Sequence, residues 1–145
     1  MKISLRPVTK ENYEAVCELD VTKEQEYFVA CNMWSIVESK YNDGYETRVI
    51  YLKEAPVGFF MWVKESEIKV SIWRFMVDKK HQQKSIGRIA LNLALAEIKK
   101  VTDLQEIEIC YNPKNPVAKE FYSSFGFSEV GMDEDDEDML AVIEL

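Results

Sequence analysis

An apolar run at 68–77 passes through a short polar connection into Ile86, Ile89, Ala90, Leu93 and Ala94, which recur at helical spacing. This strand, loop, helix order constrains the chain more than any other feature. A helix opening straight out of a loop leaves its first amides without intrahelical acceptors, and together with the helix dipole they favour an anion such as phosphate. Lys84 and Arg88 place positive charge there in a chain whose formal net charge is −8. The alternative is an ordinary strand-to-helix connection in which Ser85 is the helix N-cap.

The remaining order follows from periodicity and turn residues. Ile3 and Leu5 alternate with polar residues before Pro7, predicting a strand, and Thr9 is then placed to cap a helix carrying Tyr13, Val16, Cys17 and Leu19. Spacings of three and four through Phe28, Val29, Met33, Ile36 and Val37 predict one or two helical segments over 23–41, ended by Asn42-Asp43-Gly44. Runs at 48–52, 57–63 and 68–77 predict three consecutive strands, 85–100 a helix, and 104–111 a half-exposed strand. Strand, helix, strand at this point implies a right-handed crossover between parallel strands, with ligands expected at their carboxyl ends. Asn115-Pro116 and Gly126 bracket a short helix through Phe121, Tyr122 and Phe125, and runs at 127–130 and 139–145 predict a closing hairpin.

With 145 residues, 47% of them hydrophobic and 30% charged, the chain suits one compact domain, 1–145, without repeats or an internal linker. No apolar run approaches the roughly 20 residues needed to span a bilayer, and the opening is too soon polar for a signal peptide, so a cytoplasmic location with no membrane partner is expected. Cys17, Cys31 and Cys110, accompanied only by His81, form neither a disulfide framework nor a zinc-ligand spacing, so no metal is expected. An excess of 26 acidic over 18 basic residues argues against nucleic acid and suits a cationic partner.

The spacing Gln82-x-x-Ser85-x-Gly87 resembles the pyrophosphate loop of the GNAT acetyltransferases, Arg/Gln-x-x-Gly-x-Gly/Ala, with Ser85 in the first glycine position. If that position needs a positive φ, a non-glycine residue there costs about 1 kcal/mol. Asn115-x-x-Ala118-x-x-x-Tyr122-x-x-x-Gly126-Phe127 resembles the family's second signature. The resemblance implies an α/β (α+β) acyl-CoA N-acyltransferase fold, a mixed sheet of about seven strands flanked by helices. It implies acetyl-CoA as co-substrate, held by the backbone of Phe75, Met76 and Val77, by Gln82, Gln83, Lys84, Ser85, Ile86, Gly87 and Arg88, and by Asn115, Ala118 and Tyr122. It also implies Tyr122 as general acid to the leaving thiolate, a role that suits a phenol with an ordinary pKa of about 10. From helical spacing alone, Tyr122 and its aromatic neighbours serve equally well as core.

Segments through Glu24-Gln25, Phe28-Val29-Ala30, Asn32, Ser35-Ile36, Ser39 and Tyr41, with Trp73-Arg74-Phe75-Met76-Val77-Asp78, resemble bacterial spermine/spermidine acetyltransferases. That resemblance implies a polyamine acceptor, with Glu24, Glu26 and Glu38 pairing with ammonium groups and Trp34 and Trp73 lying against the chain. The acidic run 133–138, with Asp133 and Asp135 among its residues, supplies the matching field; singly, these residues read equally as solvated surface, and Trp34 as core. No carboxylate lies in 68–77, so Glu24 or Glu26 acting through water is the candidate base, bulk water reached by a relay being the alternative. Other readings of the chain are acetylation of a different amine (of an amino acid, an antibiotic or a protein) and a non-catalytic coenzyme A sensor. Family dimers are frequent, and the run 139–145 suits either an interface or the core.

Overall fold

The computed structural model describes residues 2–23, 31–82 and 85–145. In chain order they form β1 (Ile3–Arg6), α1 (Tyr13–Glu18), α2 (Asn32–Tyr41), β2 (Tyr45–Leu52), β3 (Ala55–Lys64), β4 (Lys69–Val77), α3 (Ile86–Ile98), β5 (Glu106–Tyr111), α4 (Ala118–Ser123), β6 (Ser128–Met132) and β7 (Met139–Glu144). The strands make one seven-stranded sheet in the order β1-β2-β3-β4-β5-β7-β6. Among the described strands only β4 and β5 pair in parallel.

Helices cover both faces, which explains why β3 is apolar continuously rather than alternately. Phe59 and Phe60 point to opposite faces and both are fully buried, each burial worth about 1.5–3 kcal/mol. Phe60 joins Val70, Ile72, Ile86, Leu91, Ile107 and Tyr111 in the larger core beneath α3 and α4. Phe59 joins Val16, Val49, Met61 and Met76 beneath α1 and α2. At Gly58 the backbone of β4 comes so close that a Cβ would lie 2.5 Å from the Met76 carbonyl oxygen and 2.7 Å from Ile50 Cδ1.

Several boundaries differ from expectation. Thr9 does not cap α1: Asn12 precedes the helix, its buried amide donating to the Pro7 carbonyl and Tyr51 hydroxyl while its oxygen accepts from the Thr9 amide. Lys99 and Lys100 lie just beyond α3 rather than in its last turn. β7 lies between β5 and β6, with Met139, Ala141 and Ile143 in or against the larger core, so the final run is spent on the sheet. Of the 23–41 region, Asn32–Tyr41 is helical and residues 24–30 lie outside the described ones.

Candidate active site

β4 and β5 separate part-way along. Their ladder runs from Lys69/Glu106 to Ile72/Ile109, whereas β4 continues to Val77 and β5 to Tyr111. The separation begins at a bulge: against β3, Met61 pairs with Arg74 and Trp62 with Ile72, leaving Trp73 as the extra residue. A bulge bends its strand and increases its twist, which carries β4 away from β5. The stretch 73–77 is therefore laddered on one side only.

The loop beyond β4 is tied down by its own side chains. The buried Asp78 donates its amide to the Val57 carbonyl and accepts from the Asp20 amide, at 2.7 and 2.9 Å, and Gln82 Nε2 donates to the Val77 carbonyl at 2.9 Å. Ser85 precedes α3 at φ 65°, ψ 6°, in the left-handed region, without a side-chain cap. Ser85 therefore does stand at the N-cap position, but its hydroxyl caps no amide, and the positive φ at the first glycine position is adopted by a serine. In the first turn the amides of Ile86, Gly87 and Arg88 have no intrahelical acceptor.

Two cavities open where the strands part. One, of about 480 Å³, is bounded by Phe75, Met76, Val77, His81, Gln82, Ser85, Gly87, Arg88, Asn115, Ala118, Phe121 and Tyr122 among others. A Cβ on Gly87 would stand 3.5 Å from the Phe75 ring and 3.9 Å from Phe121, so the glycine leaves that wall bare. The other cavity, of about 760 Å³, is lined by Trp73, Arg74, Cys110, Lys114, Asp136, Glu137 and Asp138 among others. Phe75, Asn115 and Tyr122 belong to both.

Tyr122 reaches this junction because α4 is short and firmly ended. Gly126 at φ 99° closes it, with the Phe127 amide donating to the Tyr122 carbonyl and the Gly126 amide to that of Ser123, the two bonds of a Schellman turn. The Tyr122 ring packs on Tyr111, Phe121 and Phe127, at centroid distances of 5.6, 5.2 and 6.0 Å. Burial above all, then Cys110 and Tyr111, pushes its phenol well above the usual tyrosine range, so it keeps its proton at neutral pH. Ala118, buried one turn earlier, leaves the adjoining space open.

The model of the acetyltransferase (GNAT) family matches residues 12–127. The chain belongs to the GNAT family. It is 25% identical over 134 residues to a probable spermine N(1)-acetyltransferase of Bacillus subtilis subsp. natto (strain BEST195), covering 88% of each chain. Its fold matches the spermidine N-acetyltransferase of Vibrio cholerae, solved with CoA and spermine (TM-score 0.80, 16% identity, 98% of this chain and 95% of that one). The PaiA N-acetyltransferase of Thermoplasma acidophilum, solved with coenzyme A, gives a TM-score of 0.75 at 19% identity over 100% of both chains.

In this GNAT domain the structure gathers most residues expected at the acetyl-CoA side: Phe75, Met76, Val77, Gln82, Ser85, Gly87, Arg88, Asn115, Ala118 and Tyr122 all line the smaller cavity. Ile86 instead turns its side chain into the core, and Gln83 and Lys84 lie outside the described residues. Arg88 is held over the rings of Phe121 and Phe125 and donates to Ser124 Oγ at 3.0 Å. The Asn115 oxygen accepts from the Val117 amide and shapes the turn into α4, but the helix begins at Ala118 with Val117 in the cap position, so Asn115 is not its N-cap nor Pro116 its first residue.

The acceptor-side expectations fare differently. Trp73 lines the larger cavity, its ring 5.2 Å from that of Tyr45, but Trp34 is exposed on α2 and touches neither cavity, so it is not core either. Glu24 and Glu26 lie outside the described residues. Glu38 is engaged by Arg74, whose Nη2 donates to it at 3.2 Å. Asp133 and Asp135 do not line the cavity: the Asp133 carboxylate accepts from the Glu137 and Asp138 amides and folds the loop, and Asp136, Glu137 and Asp138 line the cavity's edge. Arg74 and Cys110 line the larger cavity without having been expected there, while Asp136, Glu137 and Asp138 belong to the acidic run from which only Asp133 and Asp135 had been singled out. Arg74 was within a quoted motif and the carboxylates within the acidic run, but nothing local distinguishes their direction.

Proposed function

We propose that this protein transfers the acetyl group of acetyl-CoA to a primary amine of a polyamine or diamine, by direct attack within a ternary complex. The observation that carries this reading is the meeting of the two cavities at Tyr122. The smaller one combines open helix amides, Arg88 and an apolar floor, which suit a diphosphate followed by a pantetheine arm. The larger one offers an opening of opposite character, walled by Asp136, Glu137 and Asp138, which suits a cationic chain. Tyr122, protonated at the junction, is placed to give a proton to the sulfur as it leaves.

Direct transfer is favoured over an acetyl-cysteine route. Cys110 is the cysteine in the cavity, and burial, followed by the charge of Asp138, pushes its thiol up to about 11, so it is protonated at neutral pH. Similarity to spermine and spermidine N-acetyltransferases supports the acceptor class. A panel of spermine, spermidine, putrescine, amino acids and aminoglycosides, assayed by release of the coenzyme thiol, tests the reading. Turnover highest on polyamines and weakened by salt is expected; preference for a singly charged amine overturns the acceptor.

A further inference from the structure

We propose that Asp138 is the group that takes the proton from the attacking ammonium at the strand split. This rests on the transfer reading above and identifies the base that it requires.

Strand register fixes the two faces. Tyr111 pairs with Met139 and Cys110 with Leu140, and paired residues of an antiparallel ladder share a face. Ile107, Ile109, Tyr111, Met139, Ala141 and Ile143 all pack into or against the α3/α4 core, together with Tyr122. Alternation therefore sends Cys110 and Leu140 to the other face, and Asp138, in the bend just before β7, stands close enough to Cys110 and Arg74 to act on them electrostatically. Asp138 and Tyr122 line the same cavity, because the sheet is open between the ends of β4 and β5.

Asp138 also differs from its neighbours in the acidic loop. Asp136 and Glu137 are exposed, and the Asp133 carboxylate is used by two backbone amides. Asp138 is half-buried, and its carboxylate forms no ion pair and accepts no hydrogen bond among the described residues. The groups around it are Asp133 from its own loop, Arg74 from β4, Cys110 from β5 and, across the cavity, Lys114 and Tyr122. Burial and then Asp133 raise its pKa while Arg74 opposes them, which makes it a stronger proton acceptor than an ordinary aspartate.

The balance is as follows. An alkylammonium gives one proton to the Asp138 carboxylate, which passes it to water in the open cavity, and the freed amine forms the C–N bond at the thioester carbonyl. The C–S bond breaks, the sulfur takes the Tyr122 proton, and the second proton lost from nitrogen restores the phenol. Amide, free thiol and one proton to solvent result.

The test is thiol release with spermidine and acetyl-CoA across a pH series for the wild type, Asp138→Asn and Asp138→Glu, with the thermal shift on acetyl-CoA alongside. We expect Asp138→Asn to lose about 10²–10⁴-fold in kcat near neutrality. Its rate should then climb tenfold per pH unit toward the amine pKa of about 10.4, as hydroxide replaces the missing base. Asp138→Glu should recover part of the loss, and the acetyl-CoA shift should be unchanged in both. A kcat within threefold of wild type, a rise in KM alone, or a deficit constant across pH overturns the proposal. If Asp138→Asn does not fold, Asp138→Ala assayed with added formate replaces it: restored turnover supports the assignment and its absence overturns it. A wild type that acetylates no amine defeats the transfer reading itself, a result distinct from an active wild type indifferent to Asp138.

Discussion

The Tyr122 ring lies against Tyr111 with 5.6 Å between centroids and 27° between planes, so the proposed acid is oriented by a second tyrosine from β5. Tyr111 is in turn anchored by donating its hydroxyl to the Glu129 carboxylate. Tyr122→Phe keeps this stack and removes the hydroxyl alone. Turnover should fall about 10²–10⁴-fold, while the thermal shift with acetyl-CoA stays as in the wild type. Thiol-release kinetics beside calorimetric titration check both halves.

Ser85→Gly should stabilise the fold. A serine at φ 65° carries left-handed strain of about 1–2 kcal/mol, partly offset because glycine loses more freedom on folding. A net gain of about 0.5–1 kcal/mol is expected from urea unfolding, with acetyl-CoA affinity equal or better.

Gly58→Ala should do the opposite. Its Cβ would sit 2.5 Å from the Met76 carbonyl oxygen, a backbone atom that cannot rotate aside, so β3 and β4 must shift apart. A loss of about 1–3 kcal/mol is expected, read as a lower urea midpoint, together with weaker acetyl-CoA binding because Met76 lines the smaller cavity.

Glu38→Ala removes the carboxylate partner of Arg74, leaving that half-buried guanidinium with the Trp73 carbonyl at 3.0 Å. We expect about 1.5–3 kcal/mol of destabilisation and little salt dependence in the wild-type pair. Urea unfolding at low and high salt measures both.

Cys110 should resist alkylation at mildly basic pH, where the exposed Cys31 reacts, and mass spectrometry after iodoacetamide treatment reads this directly. Linkage gives a second consequence. A thiol whose folded pKa is raised to about 11 from 9.0 contributes stability that is complete below the unfolded value and is lost as pH rises through the folded one. Stability should therefore fall by on the order of 2 kcal/mol between those limits, and Cys110→Ala should flatten that slope.

The residues of the smaller cavity were readable in the chain because their determinants are local. The loop at 82–88 and the segment 115–127 each fit within a turn or two, so helix starts, turn glycines and spacing place their residues without reference to anything distant. The lining of the larger cavity was not readable in the same way. Glu38 and Arg74 meet across thirty-six positions, and each looks free when read alone. Trp34, apolar and central in a helical pattern, points to solvent because Ser35 and Asn32 form the buried side of α2 instead.

Sequence alone therefore determined the element order, the strand-to-helix junction at 82–88 and the helix that carries Tyr122, all consequences of periodicity and backbone sterics over short range. Tertiary structure alone decided where β4 parts from β5, that β7 inserts between β5 and β6, and which carboxylates of the acidic loop face the cleft. Those outcomes depend on ladder register and on one bulge at Trp73. A register choice is settled by the summed packing of both sheet faces, a quantity that no short stretch of chain contains.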